Sequence, residues 1–303
     1  MDSKKIRKSI GRFLGWIGLV ACSLIIKIIP ACYLYGFAKG VGFLGYYFAA
    51  GQRRVALESL NIAFGRDKTI QEKEKIAKDC FVFMAKSAIE LLFLIDRPSL
   101  LRERVEIAGR ENLDNALSKG RGVILVSAHF GNFPLLLARL GLAGYPVTAV
   151  MRPMRDVRAE KFFLAKRGRF DIKIIHTQPR NTCVNSILEA LRNNEIIFIL
   201  MDQNFGTNGI FVDFFGRKAA TATGPVVFAR RIKAEILPCF ITRREDNTEK
   251  IIFEPSLQLE EGRNSQETVF INTQKLTGII ESYIRKYPAE WSWIHRRWKT
   301  VGR

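Results

Sequence analysis

The chain has 303 residues, 48% of them hydrophobic, which suits one large α/β domain or two modest ones and excludes a disordered or low-complexity protein. The formal net charge of +19 predicts an anionic partner: nucleic acid, anionic lipid headgroups or an acidic carrier protein. The sequence contains no zinc-finger, basic leucine-zipper or RNA-recognition motif, and its five cysteines include no CxxC pair, which argues against a zinc site or a disulfide framework.

The N-terminal segment is basic and then apolar. Residues 1–12 carry five Lys or Arg residues, and residues 13–26 contain no charge. Lys27 and Pro30 interrupt the apolar run, and a second apolar stretch covers residues 40–50. A secretory signal peptide is disfavoured because the apolar region continues without a clear A-x-A cleavage site. A buried core helix is disfavoured because the run over 13–26 is unbroken.

A membrane anchor is the favoured interpretation of this segment. Residues 13–35 can reach the roughly 20 apolar residues that a spanning helix needs. Basic residues flank both sides, however, so an in-plane or hairpin-like anchor on the cytosolic face satisfies both clusters better than a single crossing. We therefore predict a membrane anchor over residues 1–52 and an α/β domain over 53–303.

The rest of the chain alternates helical and strand patterns. Thr69 and Glu72 resemble a capping box at the start of a helix over 69–94. The later segments read as strands at 122–127, 147–151, 172–175, 196–201, 236–242 and 250–254, and as helices at 133–142, 155–167, 182–193, 224–232 and 266–286. This alternation predicts an α/β fold in which helices sandwich a mixed, mostly parallel sheet.

Three polar residues follow predicted strands. In open α/β sheets, ligands bind beyond the carboxyl ends of the strands. The residues at those ends are His129, Arg152 and Asp202. Taken alone, His129 could equally be a structural histidine, and Arg152 could belong to a solvated basic face.

Several motifs in order resemble one family. The stretch RGVILVSAHFGNFPLL (121–136) resembles the HX4D/E block of the glycerolipid acyltransferase superfamily, and is most similar to that of the lipid A late acyltransferases, which typically read AHFGNWE there. Further blocks with similar counterparts in that family are RRVALESLNIAFG (53–65), VMRP with Arg152, MDQN (201–204), VDFFGRKAATATGP (212–225) and PAEWSWIHRRWK (288–299).

The resemblance implies an acyltransferase with a glycerol-3-phosphate acyltransferase-like fold. The donor would be an acyl-carrier-protein or acyl-CoA thioester, the acceptor a hydroxyl of a lipid A precursor or related glycolipid, and no metal or other cofactor would be needed. Expected partners are acidic acyl-carrier protein, anionic membrane lipid and the glycolipid, and not nucleic acid. The expected location is the inner membrane, with the catalytic domain on the cytoplasmic face. The alternatives are another acceptor, such as a lysophospholipid or aminolipid, and a non-catalytic membrane-associated protein on the same fold.

The resemblance also assigns roles. His129 would act as the general base towards the lipid hydroxyl, and Arg152 or backbone N–H groups would stabilise the oxyanion. The family's acid lies five positions after the histidine, where this chain has Pro134. Either another carboxylate replaces that acid, or the enzyme is weak, altered or inactive. We expect Asp202 to replace it, although Asp202 could instead cap a helix or pair with Arg152.

Further residues in the matching blocks are candidates for substrate binding, although some could serve the core instead. Phe214 and Phe215 could be ordinary core side chains. The tryptophans of the closing block (288–299) could form either an interfacial belt or a structural lid. The substrate-binding candidates are Gly131, Asn132, Gln203, Phe214, Phe215, Gly216, Arg296 and Arg297.

Overall fold

A computed structural model describes the backbone of residues 3–301 and the side chains of residues 9–301. The basic side chains at positions 4, 5, 7 and 8 lie outside the described residues. The helices are α1 (Ser3–Ile28), α2 (Ala31–Phe48), α3 (Ala50–Phe64), α4 (Ile70–Leu94), α5 (Pro98–Arg104), α6 (Arg110–Leu117), α7 (Phe133–Leu142), α8 (Val157–Arg167), α9 (Arg180–Arg192), α10 (Gly224–Ile232) and α11 (Ser265–Lys286).

The strands form one large sheet and one hairpin. They are β1 (Val105–Ala108), β2 (Val123–Ser127), β3 (Val147–Met151), β4 (Lys173–His176), β5 (Ile196–Leu200), β6 (Ile210–Phe214), β7 (Arg217–Thr221), β8 (Glu235–Arg243) and β9 (Glu249–Phe253). The seven-stranded sheet has the order β1-β9-β8-β2-β5-β3-β4, and β6 pairs with β7 separately. Every neighbouring pair in the large sheet is parallel except β8–β9. The predicted α/β fold with a mostly parallel mixed sheet is confirmed.

The sheet divides the core into two layers. Successive side chains of a strand point to opposite faces, and in β2 Val123 and Leu125 join one buried cluster while Ile124 and Val126 join the other. Helix α7 packs on the first face, and helices α9, α10 and α11 pack on the second. Burial on both faces explains why β2 is apolar without alternation.

The two N-terminal helices differ in how they meet the body. Pro30, which precedes α2, separates it from α1. The segment Ser9–Ile28 of α1 is the one described helix long and apolar enough to cross a membrane. Helix α2 packs on α4 through one residue per turn, and those residues are Leu34, Ala38, Gly42 and Tyr46. The division of the chain at residue 52 stays a prediction.

All the helices and strands predicted between residues 69 and 286 are present within two residues of their predicted bounds. The capping box at Thr69 is formed, with the Thr69 hydroxyl accepting from the Glu72 amide at 3.2 Å and the Glu72 carboxylate accepting from the Thr69 amide at 2.7 Å. The sequence pattern does not indicate α3, α5, α6, β1 or the β6–β7 hairpin. These elements are short or lack a clean period.

Two glycines of α2 provide a test of the α2–α4 contact. A Cβ on Gly42 would lie 2.5 Å from the Val82 Cα, whereas a Cβ on Gly40 would meet nothing within 4 Å. We expect Gly42→Ala to lower the free energy of unfolding by about 1–3 kcal/mol through overpacking. Gly40→Ala should raise it by about 0.5–1 kcal/mol, because alanine restricts the unfolded chain. Urea unfolding of both variants in detergent measures the two changes, and equal changes would contradict the close contact.

Candidate active site

His129 and Asp202 lie at the carboxyl ends of two adjacent parallel strands. Strands β2 and β5 pair in register from Val123↔Ile196 to Ser127↔Leu200, so the second residue beyond each strand reaches the same height at the sheet edge. The His129 Nδ1 lies 2.9 Å from the Asp202 Oδ1. The two residues that the sequence placed at this edge are therefore hydrogen-bonded to each other.

The contacts of the imidazole define its tautomer. The Asp202 carboxylate accepts a hydrogen bond, so Nδ1 carries the proton and Nε2 carries the lone pair. The Gln203 amide nitrogen lies 3.1 Å from Nε2 and can donate to it. The His129 side chain is 28% exposed and that of Asp202 is 2% exposed, so the basic nitrogen faces the open side of the pair.

The closing block contacts this pair from the protein interior. The buried Trp291 indole N–H donates to the Asp202 Oδ2 at 2.7 Å. The Ser292 amide donates to the His129 carbonyl at 3.0 Å, and the Cys80 thiol on α4 donates to the Trp291 carbonyl. Both carboxylate oxygens of Asp202 thus have donors, which fixes the carboxylate against the imidazole.

Burial and charge act in opposite directions on the two titrating groups. Burial lowers the pKa of His129, but the Asp202 carboxylate raises it by charge and hydrogen bonding, and the net pKa lies above its usual 6.5. Burial raises the pKa of Asp202, but the positive charge and hydrogen bonds from His129 and the Trp291 N–H lower it more, so it lies below its usual value. Both pKa shifts favour the ionised form of the pair, a protonated His129 beside the Asp202 carboxylate.

Gly131 permits the closest approach in the turn after His129. Its φ is +60°, and a Cβ there would lie 1.9 Å from the Ile241 carbonyl oxygen, so any side chain would clash with strand β8. The Gly131 N–H donates to the Glu290 carbonyl at 2.9 Å. That N–H already has an acceptor inside the protein and is not available to an oxyanion.

Asn132 is buried, and its amide donates to the Ser87 carbonyl and to a Glu90 carboxylate oxygen, each at 3.2 Å. Glu90 in turn forms a two-pronged ion pair with the Arg243 guanidinium, at 3.1 and 2.6 Å. Asn132 therefore links the turn after His129 to helix α4 and faces into the protein.

Arg243 holds further carboxylates in this buried cluster. Its guanidinium also lies 2.6 Å from Glu249, and its backbone N–H donates to the Glu290 carboxylate at 3.2 Å. Burial and the neighbouring Glu90 charge raise the pKa of Glu249, and burial raises the pKa of Glu290 to about 7. No sequence motif indicated this cluster, because its members come from distant segments.

The remaining predicted site residues divide into exposed and buried groups. Arg152 directly follows β3, the strand beside β5, and is exposed together with Gln203 and Arg296. Arg297 is fully buried and donates to the carbonyls of Gln203 and Ala220 at 3.1 and 2.5 Å. Arg297 thus supports the segment after Asp202 from inside the protein.

Phe214, Phe215 and Gly216 (the FFG residues) lie at the β6–β7 turn. Phe215 and Gly216 have φ of 56° and 69°, which suits a two-residue hairpin turn. The Phe214 and Phe215 rings are buried among the closing-block tryptophans, with Phe214 5.7 Å from Trp291 between ring centroids. For Trp291 and Trp293 the structure supports core packing over an interfacial belt. Substrate contact by the FFG residues stays a prediction.

Within the described part of the chain, no three His, Cys, Asp or Glu side chains converge as metal ligands would. The sequence also does not predict the contact of the Trp291 indole with Asp202. The closing block was recognised as a motif, but no linear pattern places residue 291 beside residue 202.

The chain is similar to known acyltransferases over nearly its full length. The family model described as bacterial lipid A biosynthesis acyltransferase matches residues 2–300. Among curated proteins, the chain is 26% identical to the lipid A biosynthesis palmitoleoyltransferase of Escherichia coli, over 95% of this chain and 92% of that protein. It is 24% identical to the lipid A biosynthesis lauroyltransferase of Escherichia coli, with the same two coverages. It is also 24% identical to the phosphatidylinositol mannoside acyltransferase of Mycolicibacterium smegmatis, over 65% of this chain and 64% of that protein.

The pair predicts a specific change in titration. Asp202→Asn removes the charge that raises the pKa of His129 and leaves the burial that lowers it, so we expect that pKa to fall below 6.5. Trp291→Phe keeps the Asp202 charge, so the pKa of His129 should stay above 6.5. NMR titration of the histidine ring signals in detergent measures both. An unchanged pKa in Asp202→Asn would show that the two groups are not coupled.

Proposed function

Because the chain belongs to the bacterial lipid A biosynthesis acyltransferase family, we propose that it transfers a fatty acyl chain from an acyl-carrier-protein thioester to a hydroxyl of a lipid A precursor or related glycolipid. The observation that carries this proposal is the His129–Asp202 pair with Nε2 on its open side. A catalytic base needs a lone pair that the substrate hydroxyl can reach, and Nε2 offers one where the substrate displaces the Gln203 amide.

In the proposed reaction, His129 accepts one proton and later returns it. The lipid hydroxyl oxygen attacks the thioester carbonyl carbon while Nε2 takes the hydroxyl proton. The tetrahedral intermediate collapses, the C–S bond breaks, and the imidazolium returns the proton to the leaving thiolate. Asp202 keeps the tautomer and stabilises the imidazolium, as the acid does in other histidine-based acyl-transfer sites. The thioester supplies the activation, so we propose no metal or other cofactor.

Two exposed groups complete the proposed site. Gln203 lies against Nε2, where the acceptor hydroxyl must arrive, so we propose that the substrate displaces its amide. Arg152 lies at the end of the next strand and is proposed to bind the oxyanion or a substrate phosphate.

The proposed setting is the inner membrane, with the catalytic domain on the cytoplasmic face. The apolar helix α1 supports membrane attachment, and the net charge of +19 suits both an acidic carrier protein and anionic lipids. The similarity to a phosphatidylinositol mannoside acyltransferase makes another glycolipid the main alternative acceptor. Family membership and the hydrogen-bonded His129–Asp202 pair (the dyad) favour an enzyme over a non-catalytic protein on this fold.

The direct test is transfer by the purified full chain. Radiolabelled acyl-carrier-protein thioester and acyl-CoA are each supplied with a lipid A precursor, a lysophospholipid or a phosphatidylinositol mannoside. We expect labelled product with the lipid A precursor and faster transfer from the carrier protein. Transfer to another acceptor would reassign the substrate, and no transfer to any acceptor would contradict the proposal.

The dyad predicts both a rate and a pH profile. His129→Gln and Asp202→Asn should each lower kcat about 10²–10⁴-fold. The base works only when neutral, and the pKa of His129 is raised, so wild-type kcat/KM should fall as pH drops through that raised pKa. Asp202→Asn should move this acid limb to lower pH.

His176→Gln is the matched control, because His176 is exposed at the end of β4. It should leave the rate and profile unchanged. A His129→Gln enzyme with wild-type turnover would exclude the proposed mechanism.

Restoring the family's acid should not raise activity. Pro134 lies in the first turn of α7, and the Nδ1 position that such an acid would serve is already taken by Asp202. We expect Pro134→Glu to stay within about twofold of wild-type kcat, because Asp202 already supplies the charge that the added carboxylate would offer. A large gain would show that Asp202 is an incomplete substitute. The double variant Pro134→Glu with Asp202→Asn tests whether the two acids can exchange roles.

A further inference from the structure

Helix α1 lies lengthwise against the folded body. Its Trp16 ring meets Phe162 of α8 edge to face at 6.2 Å between centroids, and the Arg158 guanidinium lies 5.2 Å from the Phe13 ring. Near the other end of α1, Ile26 is 1% exposed and joins the core cluster that contains Leu92 of α4. From Phe13 to Ile26 a helix rises about 20 Å, so the contact runs along most of the apolar segment.

The opposite side of α1 is apolar and exposed. Its large exposed side chains range from 42% to 82% in exposure, and they are Ile10, Leu14, Ile17, Leu24, Ile25 and Ile28. The helix thus has two apolar sides, of which one is packed on the protein and one faces outward. A continuous outward apolar face on a basic protein fits the surface of an anionic lipid bilayer.

Charged groups lie beside α1 along the same length. The Asp156–Arg158 ion pair of 2.7 Å lies near its first turns. Near its last turns, Asp96 pairs with Lys166 and Arg169, each at 2.6 Å, and the Arg169 side chain is 61% exposed.

A cavity of about 240 Å³ between α1, α4 and α8 is lined by further charged side chains, including Lys27 and Arg97. If α1 crossed a bilayer on its own axis, these groups would be carried into the hydrocarbon with it. Ionised side chains that face lipid at that depth are costly and rare.

We propose that α1 lies in the plane of the membrane surface, with its outer face in one leaflet of anionic phospholipid, and that it does not cross the bilayer. Helix α2 has the same two-sided character, with one side packed on α4 and with Leu44, Tyr47 and Phe48 exposed. Arg54, which is exposed on α3, follows it and can contact lipid phosphates. This inference rests on the proposed membrane association of the chain and is independent of the chemistry at His129.

Depth measurements along α1 distinguish the two orientations. Single cysteines replace Leu14, Ala21 or Ile28 in a Cys22→Ser, Cys32→Ser background and carry the fluorophore NBD. The full chain is added to preformed vesicles of phosphatidylcholine and phosphatidylglycerol that contain lipids with quenchers at known depths. We expect all three labels to report a similar, shallow depth. A label on exposed Ser118→Cys serves as the control and should stay in water.

A spanning helix would give a different pattern. Ala21 would report the bilayer centre, and either Leu14 or Ile28 would be protected from dithionite added outside. That pattern would overturn the in-plane orientation and leave the membrane association intact. If none of the labelled chains bound the vesicles, both the orientation and the membrane association would be contradicted.

Discussion

The site depends on the register of two parallel strands. Strands β2 and β5 end level with each other, so the residue two beyond each strand reaches one point of the sheet edge. His129 and Asp202 occupy those positions and bond at 2.9 Å. A slip of one residue in this pairing would turn one of the two side chains to the other face of the sheet and break the bond. The buried apolar faces of β2, which fix this register, therefore position the His129–Asp202 pair as well as the core.

The closing block, which is distant in sequence, supports the His129–Asp202 pair. The Trp291 N–H donates to the second carboxylate oxygen of Asp202, and the Ser292 amide donates to the His129 carbonyl. Arg297 reaches the Gln203 carbonyl from inside. Each contact satisfies a buried polar group and also restrains one part of the dyad. Fold stability and site geometry are consequently linked through these few hydrogen bonds.

The sequence was sufficient for features with a local cause. The capping box at Thr69 and the buried strand β2 follow from residue type and spacing, and both are present. Strand order at the sheet edge brought His129 and Asp202 together as expected, because ligand sites in such sheets lie beyond strand ends. The contact of Trp291 with Asp202 could not be predicted, since it depends on how the chain returns after α11. For the same reason, the inward direction of Asn132 depended on the unpredicted Arg243 cluster.

The missing family acid has a structural explanation at position 134. Helix α7 begins at Phe133, and proline suits the first turn of a helix, where its absent N–H has no intrahelical acceptor to lose. An acid at this position would be expected to hold the imidazole Nδ1. Here Asp202 already does so, and its own carboxylate is fixed by Trp291. Position 134 is then free to serve the start of the helix. The sequence feature that first suggested a defective site is thus compatible with a complete dyad built from two strands.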